Sequence, residues 1–168
     1  MSCNGVNIKQ KLIYLNMIEK GEFLLRSGGK SNIYFNVKKA YGNPGLLSNI
    51  ADNLFNLFDK NITCVAASGH GGLPLATVIS QTYDLPLVLV RQEIKDHGLQ
   101  NSIDGYIPNK TDNVAVVDDV FTTGSSLLDT ISILKSITNI EGCYVVFRRT
   151  ENDFNYKIKF LFDYREFL

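Results

Sequence analysis

A chain of 168 residues suits a single domain and is long enough to bury one sizeable core. Its 45% hydrophobic and 20% charged residues are ordinary for a soluble globular protein. Seventeen basic residues balance seventeen acidic ones, so no net charge draws the chain to nucleic acid or to an anionic membrane surface.

The apolar stretches and the cysteines further restrict the class of protein to which the chain can belong. The sequence contains no apolar run of 18 residues, and it does not open with the apolar segment of a signal peptide. Cys3, Cys64 and Cys143 are widely spaced and match no metal-ligand pattern. Cys64 and Cys143 lie in apolar runs, as small core residues do. We therefore expect a cytoplasmic protein that binds neither membrane nor nucleic acid.

The first forty residues predict a helix and then a β-hairpin. Apolar residues recur at the spacing of one helix face, at Ile8, Leu12, Leu15 and Ile18. Gly21 follows this run and has the character of a helix stop. Residues 22–40 contain two alternating apolar runs separated by two adjacent glycines, which is typical of a hairpin.

Strands and helices alternate through the rest of the chain. Asn43 and Pro44 have the composition of a helix cap and a first helical residue. Strands are predicted at 63–67, 87–90, 114–118, 143–147 and 157–162, and the last of these is expected at an edge of the sheet. Helices are predicted after Asn43, at 73–83 and from 124–126 onward. This alternation implies an α/β fold, an open and mainly parallel twisted sheet flanked by helices. Residues 91–112 show no convincing period, and connections of this length are usually functional lids or misread elements.

The stretch 114–126 carries the strongest chemical signal. A buried strand runs into Asp118 and Asp119, and a turn containing Gly124 then opens a helix. Hydroxyl donors in this turn come from Thr122, Thr123, Ser125 and Ser126. The N–H groups and the dipole of a helix start favour a phosphate. Two carboxylates would repel a phosphate, so they suit the hydroxyls of a sugar or a metal-bound group instead.

A second strand-to-helix turn is rich in glycine. It consists of Ser68, Gly69, His70, Gly71 and Gly72. Its exposed N–H groups can bind an anion such as pyrophosphate. Ligands of open parallel sheets bind outside the carboxyl ends of the strands. We therefore expect this turn, the segment after Val90 and the Asp118 motif to converge at one edge of the sheet.

Residues 114–126 closely resemble the phosphoribosyl-pyrophosphate (PRPP) motif of type I phosphoribosyltransferases. Three further stretches, 23–35, 95–98 and 145–151, are similar to those of orotate phosphoribosyltransferases, and the resemblance covers residues 19–151 in order. It implies the type I fold, with a helix and small hood at about 1–40 and a PRPP-binding core at about 41–168. It also implies a homodimer whose flexible 91–112 loop reaches the neighbouring site.

The same resemblance implies roles for individual residues. The implied catalytic residues are Asp118, Asp119, Arg91, Lys95 and His97. The implied PRPP-binding residues are Ser68, Gly69, His70, Gly71, Gly72, Phe121, Thr122, Thr123, Gly124, Ser125 and Ser126. The implied base-binding residues are Arg26, Tyr34, Phe35, Thr122 and Arg149. The implied cofactor is Mg²⁺, held mainly by PRPP and water with no direct protein ligand, and the implied substrates are PRPP and orotate.

Three positions depart from the family pattern, and one of them is Arg148, which replaces the usual aspartate. Gln92 and Gly71 stand where the family commonly has lysines, and Gln92 brings no charge. Two alternatives therefore stay open, a phosphoribosyltransferase for another nucleobase and a non-catalytic PRPP or nucleotide sensor. A phosphoacceptor signalling domain also has paired acids at a strand end, but it needs no hydroxyl-rich helix start.

Overall fold

A computed structural model describes residues 8–24, 30–91, 102–150 and 154–167 of the chain. The strands are β1 (Ile18–Leu24), β2 (Lys30–Phe35), β3 (Cys64–Ala67), β4 (Leu87–Val90), β5 (Ile103–Gly105), β6 (Asn113–Phe121), β7 (Asn139–Arg148) and β8 (Ile158–Asp163). The helices are α1 (Ile8–Tyr14), α2 (Lys38–Tyr41), α3 (Pro44–Phe55), α4 (Gly69–Tyr83) and α5 (Ser125–Leu134), and a 3-10 turn follows at Tyr164–Phe167.

Six strands form one sheet in the order β5-β4-β3-β6-β7-β8. All neighbouring pairs are parallel except β4 and β5, which are antiparallel. Strands β1 and β2 form a separate antiparallel hairpin. The mainly parallel sheet, the hairpin and the edge position of β8 are confirmed. Because β3 and β6 are adjacent and parallel, the segments that follow them meet at one edge of the sheet.

Helices cover both faces of the central strands. On β3, Val65 and Ala67 belong to the core that contains α3 and α4, whereas Cys64 and Ala66 belong to the core that contains α5. Successive side chains of a strand alternate between faces, so a strand covered on both sides reads as a continuous apolar run. Burial raises the pKa of Cys64 to about 11, which keeps this core residue a thiol.

The hairpin and α1 pack against the same face as α3 and α4. Leu12, Met17 and Phe35 are buried in that core together with residues of α3 and α4. Asn43 caps α3 as expected, because its side-chain oxygen accepts the Leu46 N–H at 3.0 Å and Pro44 occupies the first turn. Short α2 follows the hairpin in the chain and precedes α3, and its residues Lys38 and Tyr41 contact Asp119 and Gly71 at the carboxyl edge of the sheet.

The helix predicted to run past Ile18 ends earlier. It stops at Tyr14, and Asn16 adopts a left-handed conformation with φ 48°. Asparagine tolerates this conformation, which reverses the chain direction. Ile18 pairs with Phe35 in the hairpin, and Gly21 lies inside β1. The spacing of the apolar residues continues across the turn, so periodicity alone could not locate this boundary.

Several other boundaries differ from the sequence prediction, and one of them is the start of β7, which lies at Asn139 rather than at residue 143. Helix α4 begins at Gly69, so the glycine turn forms its first turn. Strand β6 extends to Phe121, which places both acids inside the strand. The segment 91–112 contains β5, which pairs with β4 through only three residues. A strand this short has too few residues to show an alternating pattern.

Candidate functional site

A cavity of about 280 Å³ lies at the carboxyl ends of β3 and β6, where the segments that follow these two strands meet. Its lining consists of Lys38, Ser68, Gly69, His70, Gly71, Asp118, Asp119, Val120 and Ser126. The predicted convergence of the glycine turn and the Asp118 motif is therefore confirmed. Of the hydroxyl-rich turn, Ser126 reaches this lining. Residues 92–101, which follow Arg91, lie outside the described residues, so their convergence on the cavity stays a prediction.

The two acids are held by the backbone that follows them. Asp118 accepts the N–H of Asp119 at 2.9 Å, and Asp119 accepts the N–H of Val120 at 2.9 Å. The Asp119 residue is only 8% exposed. Burial and the neighbouring carboxylate of Asp119 raise the pKa of Asp118 to about 7. The pair can therefore exchange a proton near neutral pH.

Lys38, which the sequence reasoning missed, lies against this pair. Its Nζ donates to Asp119 Oδ2 at 2.7 Å from the first residue of α2. Burial alone would lower the pKa of Lys38, but the bond to Asp119 and the charges of both carboxylates raise it. Lys38 and Asp119 are 81 residues apart, and α2 is too short to show periodicity. The sequence carries no signal for this contact.

The glycines of α4 allow the helix to approach β6. A Cβ at Gly71 would lie 2.5 Å from Asp119 Oδ1 and 2.8 Å from Asp118 Oδ1, and one at Gly72 would collide with the carbonyl of Val117. The hydroxyl of Tyr41 also donates to the carbonyl of Gly71 at 2.8 Å. The first turn of α4 is thus fixed between α2 and the acid pair.

The turn before α5 uses glycine for a different reason. Gly124 has φ 81°, which side chains rarely adopt, and the rings of Phe121 and Phe154 pack over it. The first helical hydrogen bond runs from Leu128 N–H to the carbonyl of Gly124, so the preceding N–H groups lie outside the helical ladder. Thr123 and Ser125 are exposed beside them. This arrangement suits a phosphate.

Phe121 is a structural residue of that turn. Its side chain is buried in the second core, and its ring packs edge-on against Phe154 with centroids 5.2 Å apart. The carbonyl of Phe121 accepts the backbone N–H of Arg149 at 2.9 Å. The side chain of Phe121 therefore faces the core, and the role of this residue in PRPP binding stays a prediction.

The predicted base-binding residues lie in different environments, some in the core and some near the phosphate turn. Phe35 was wrongly expected to stack on a base, because it is buried in the core with its ring 5.1 Å from that of Phe147. Tyr34 is half-buried beside Phe23, with ring centroids 5.4 Å apart. Thr122 and Arg149 are half-buried close to the phosphate turn. Arg26 lies outside the described residues.

Of the three cations predicted for the catalytic segment, Arg91 is described. It forms a bidentate ion pair with Asp104, at 2.6 and 3.1 Å, on the exposed edge where β4 and β5 meet. Arg91 is not part of the cavity lining. Lys95 and His97 lie outside the described residues, so their placement stays a prediction.

Comparisons with known proteins agree with this geometry. Residues 37–162 match the phosphoribosyl transferase domain family. The chain is 36% identical over 148 residues to the orotate phosphoribosyltransferase of Methanocaldococcus jannaschii, covering 85% of this chain and 84% of that protein. The chain belongs to the orotate phosphoribosyltransferase family. The family member of Pyrococcus furiosus is also 36% identical, over 156 residues that cover 86% of this chain and 83% of that protein.

The fold agrees with a solved structure of an orotate phosphoribosyltransferase. The enzyme from Aeropyrum pernix has a TM-score of 0.81 and 26% identity, covering 95% of this chain and 94% of that chain. The expected type I phosphoribosyltransferase fold is confirmed, and a phosphoacceptor signalling domain is excluded. None of the described helices is both long and apolar enough to cross a membrane.

Proposed function

We propose that this chain transfers the 5-phosphoribosyl group of PRPP to orotate, giving orotidine 5′-monophosphate and pyrophosphate in de novo pyrimidine biosynthesis. The observation that carries the proposal is the position of the acid pair. Asp118 and Asp119 line one cavity together with the first turn of α4 and Ser126 of α5. A sugar can thus meet carboxylates while anions on either side of it meet two helix starts.

The proposed reaction needs positioning and charge neutralisation more than covalent help from the protein. The bond between C1 of the ribose and the diphosphate oxygen breaks, and its electron pair leaves with the diphosphate. A ring nitrogen of orotate donates the pair that forms the new bond to C1, and its proton passes to diphosphate or solvent. Donors fixed before the reaction stabilise the departing anion without reorganising. The N–H groups at the start of α4 are such donors.

The acid pair fits the ribose hydroxyls in this proposal. When Asp118 and Asp119 are ionised, their carboxylates act only as hydrogen-bond acceptors, and ribose offers two neighbouring donors. Burial and the charge of Asp119 raise the pKa of Asp118 to about 7, so part of the empty protein carries a proton there at neutral pH. Substrate binding should release this proton, because a hydroxyl donor favours the charged carboxylate.

We propose Mg²⁺ as the cofactor. The donor set fits this ion, because carboxylate oxygens face the cavity and Mg²⁺ prefers oxygen ligands while keeping several waters. Asp119 already accepts from Val120 and Lys38, so the fit is through water and sugar hydroxyls rather than a direct protein cage. When bound, the ion supplies positive charge beside the diphosphate.

We also propose a cytoplasmic homodimer in which the 91–112 segment reaches the neighbouring site through its part between Arg91 and β5, which contains Lys95 and His97. The ion pair of Arg91 with Asp104 anchors the start of that segment at the exposed edge of the sheet. If the sites are shared, mixing an Asp119→Asn homodimer with a Lys95→Ala homodimer creates one intact site per hybrid. The mixture should recover roughly a quarter of wild-type turnover by subunit exchange. Mixed protein as inactive as either parent would exclude the shared site.

A nucleobase panel tests the proposed activity. The protein is incubated with PRPP, Mg²⁺ and one base at a time (orotate, uracil, adenine or hypoxanthine), and pyrophosphate release is followed. Orotate should give the highest kcat/KM. Higher turnover with another base would instead identify a salvage phosphoribosyltransferase. Binding of PRPP without pyrophosphate release from any base would identify a sensor.

A further inference from the structure

Positive charge is scarce in the cavity. Among the described residues that line it, Lys38 is the only lysine or arginine, while Asp118 and Asp119 are both acidic. A diphosphate that enters beside two carboxylates meets repulsion unless a cation lies within a few ångströms. The N–H groups of α4 supply partial charge only. A full charge on the protein side must therefore come from Lys38 or from outside the described residues.

The glycine turn has no room for a lysine of its own. A Cβ at Gly71 would meet carboxylate oxygens of Asp119 and Asp118 at 2.5 and 2.8 Å. The carboxylates therefore occupy the space that a side chain at position 71 would need. Lys38 approaches the same carboxylates from α2, and Tyr41 of α2 bonds to the carbonyl of Gly71. The cation and the glycine turn are parts of one packed unit.

We propose that Lys38 is the substrate-binding cation of the diphosphate subsite, an inference that rests on the proposed function. In the empty site its ammonium group neutralises Asp119. When the ribose hydroxyls bind the acid pair, Lys38 turns its ammonium group to the diphosphate. One side chain thus stabilises the buried carboxylate before binding and the anion after it.

The position of Lys38 allows its ammonium group to move from Asp119 to the diphosphate. The Lys38 side chain is 43% exposed and has four rotatable bonds, so its end group can move without unfolding α2. The backbone of α2 is held, because Ala40 is fully buried and Tyr41 is bonded to α4. The length of the Lys38 side chain therefore limits how far its ammonium group can move.

The next residue along α2 provides a matched control. Lys39 pairs with Glu19 at 2.7 Å and donates to the carbonyl of Asn16 at 3.0 Å. It has a similar exposure to Lys38 and does not line the cavity. Lys39→Ala thus removes one positive charge from the same helix without touching the proposed subsite.

Calorimetric titration separates the two halves of the site. Magnesium diphosphate probes the proposed subsite, and ribose 5-phosphate probes the acid pair and the α5 turn. Lys38→Ala should weaken magnesium diphosphate binding about 10- to 100-fold, as expected for a lost charged hydrogen bond. Ribose 5-phosphate affinity should change less than about threefold. Lys38→Arg should keep most of the diphosphate affinity, and Lys39→Ala should leave both ligands at wild-type affinity.

Two outcomes would overturn the inference. Diphosphate binding by Lys38→Ala within twofold of wild type would show that the cation does not reach the anion. Equal losses for both ligands would show that Lys38 only positions Asp119. Lys38→Met, which keeps the apolar stem, replaces Lys38→Ala if thermal melting shows that alanine unfolds α2. Should diphosphate binding depend on Lys38 while no orotidine 5′-monophosphate forms, the proposed function fails and this inference stands.

Discussion

The two strand-to-helix turns of the site look alike in sequence and differ in what their glycines do. Gly71 and Gly72 have ordinary helical backbones and are small because α4 approaches β6 closely. Gly124 is needed because its φ is 81°. The first turn lies against two carboxylates, whereas the second presents hydroxyls to solvent. Glycine therefore allows close packing at the first turn and a left-handed backbone conformation at the second.

A buried hydrogen bond joins the two turns. Ser68, just before α4, lies 2.8 Å from the hydroxyl of Thr130 in α5. Thr130 donates its proton to the carbonyl of Ser126 at 3.0 Å, so Ser68 must donate to Thr130. The hydrogen bond fixes the distance between the two turns. A substrate with anions at both ends of a sugar matches such a fixed spacing.

The largest expected effect comes from Gly72→Ala, which tests close packing at the first turn. The new methyl group would collide with the carbonyl of Val117, and a strand backbone in the sheet centre cannot move aside. We expect the free energy of unfolding to fall by about 3 kcal/mol. Chemical denaturation measures this loss. Gly45→Ala in α3, whose methyl group would lie 3.6 Å from Asn43 Oδ1, should change stability by less than about 1 kcal/mol. Equal effects at both positions would contradict the packing argument.

Gly124→Ala tests backbone conformation at the second turn. An L-residue at φ 81° is strained, and its Cβ would lie 2.6 Å from the Phe154 ring. We expect a loss of about 2 kcal/mol in unfolding free energy and at least tenfold weaker binding of ribose 5-phosphate. Adding Phe154→Leu should relieve the closer ring contact, but neither the backbone strain nor the 2.9 Å approach to the Phe121 ring. Full recovery in this double variant would show that sterics alone require the glycine.

The acid pair should make the stability of the empty protein depend on pH. Burial and Asp119 raise the pKa of Asp118 to about 7 from 3.8, so the folded state binds this proton more tightly than the unfolded state. The resulting stabilisation is complete below pH 4 and is lost as the pH rises through 7. Asp118→Asn should therefore be more stable than wild type at pH 8, by about 2 kcal/mol, and not at pH 4.

Denaturation curves at both pH values, without ligand, measure this difference. Asp129→Asn on the exposed face of α5 controls for the loss of one negative charge. A stability difference between Asp118→Asn and wild type that does not change with pH would contradict the assigned titration.

Most of the architecture could be predicted because the determining signals are local. The buried strands at 63–67 and 87–90, the Asn43 cap and the acid-to-hydroxyl turn each depend on neighbouring residues. The boundary at Tyr14 could not be predicted, because apolar spacing continues through the turn at Asn16. The start of α4 was placed too late because glycine has low helix propensity, which packing against β6 overrides.

The missed parts of the site depend on contacts between distant residues. Tyr34 and Phe35 are neighbours in a strand, so their side chains point to opposite faces and only one of them can be in the core. The sequence did not indicate that Phe35 was the core residue. Lys38 contacts Asp119 across 81 residues. Local patterns thus predicted the acid pair and the two turns beside it, but not the contact of Lys38 with that pair.

A single-turnover measurement tests the central claim most directly. Protein in excess over labelled orotate is mixed with saturating PRPP and Mg²⁺, and labelled product and pyrophosphate are counted. We expect one orotidine 5′-monophosphate and one pyrophosphate per orotate, and a rate at least about 100-fold lower for folded Asp119→Asn. Unchanged orotate in the wild-type reaction, or an Asp119→Asn rate equal to wild type, would contradict this claim.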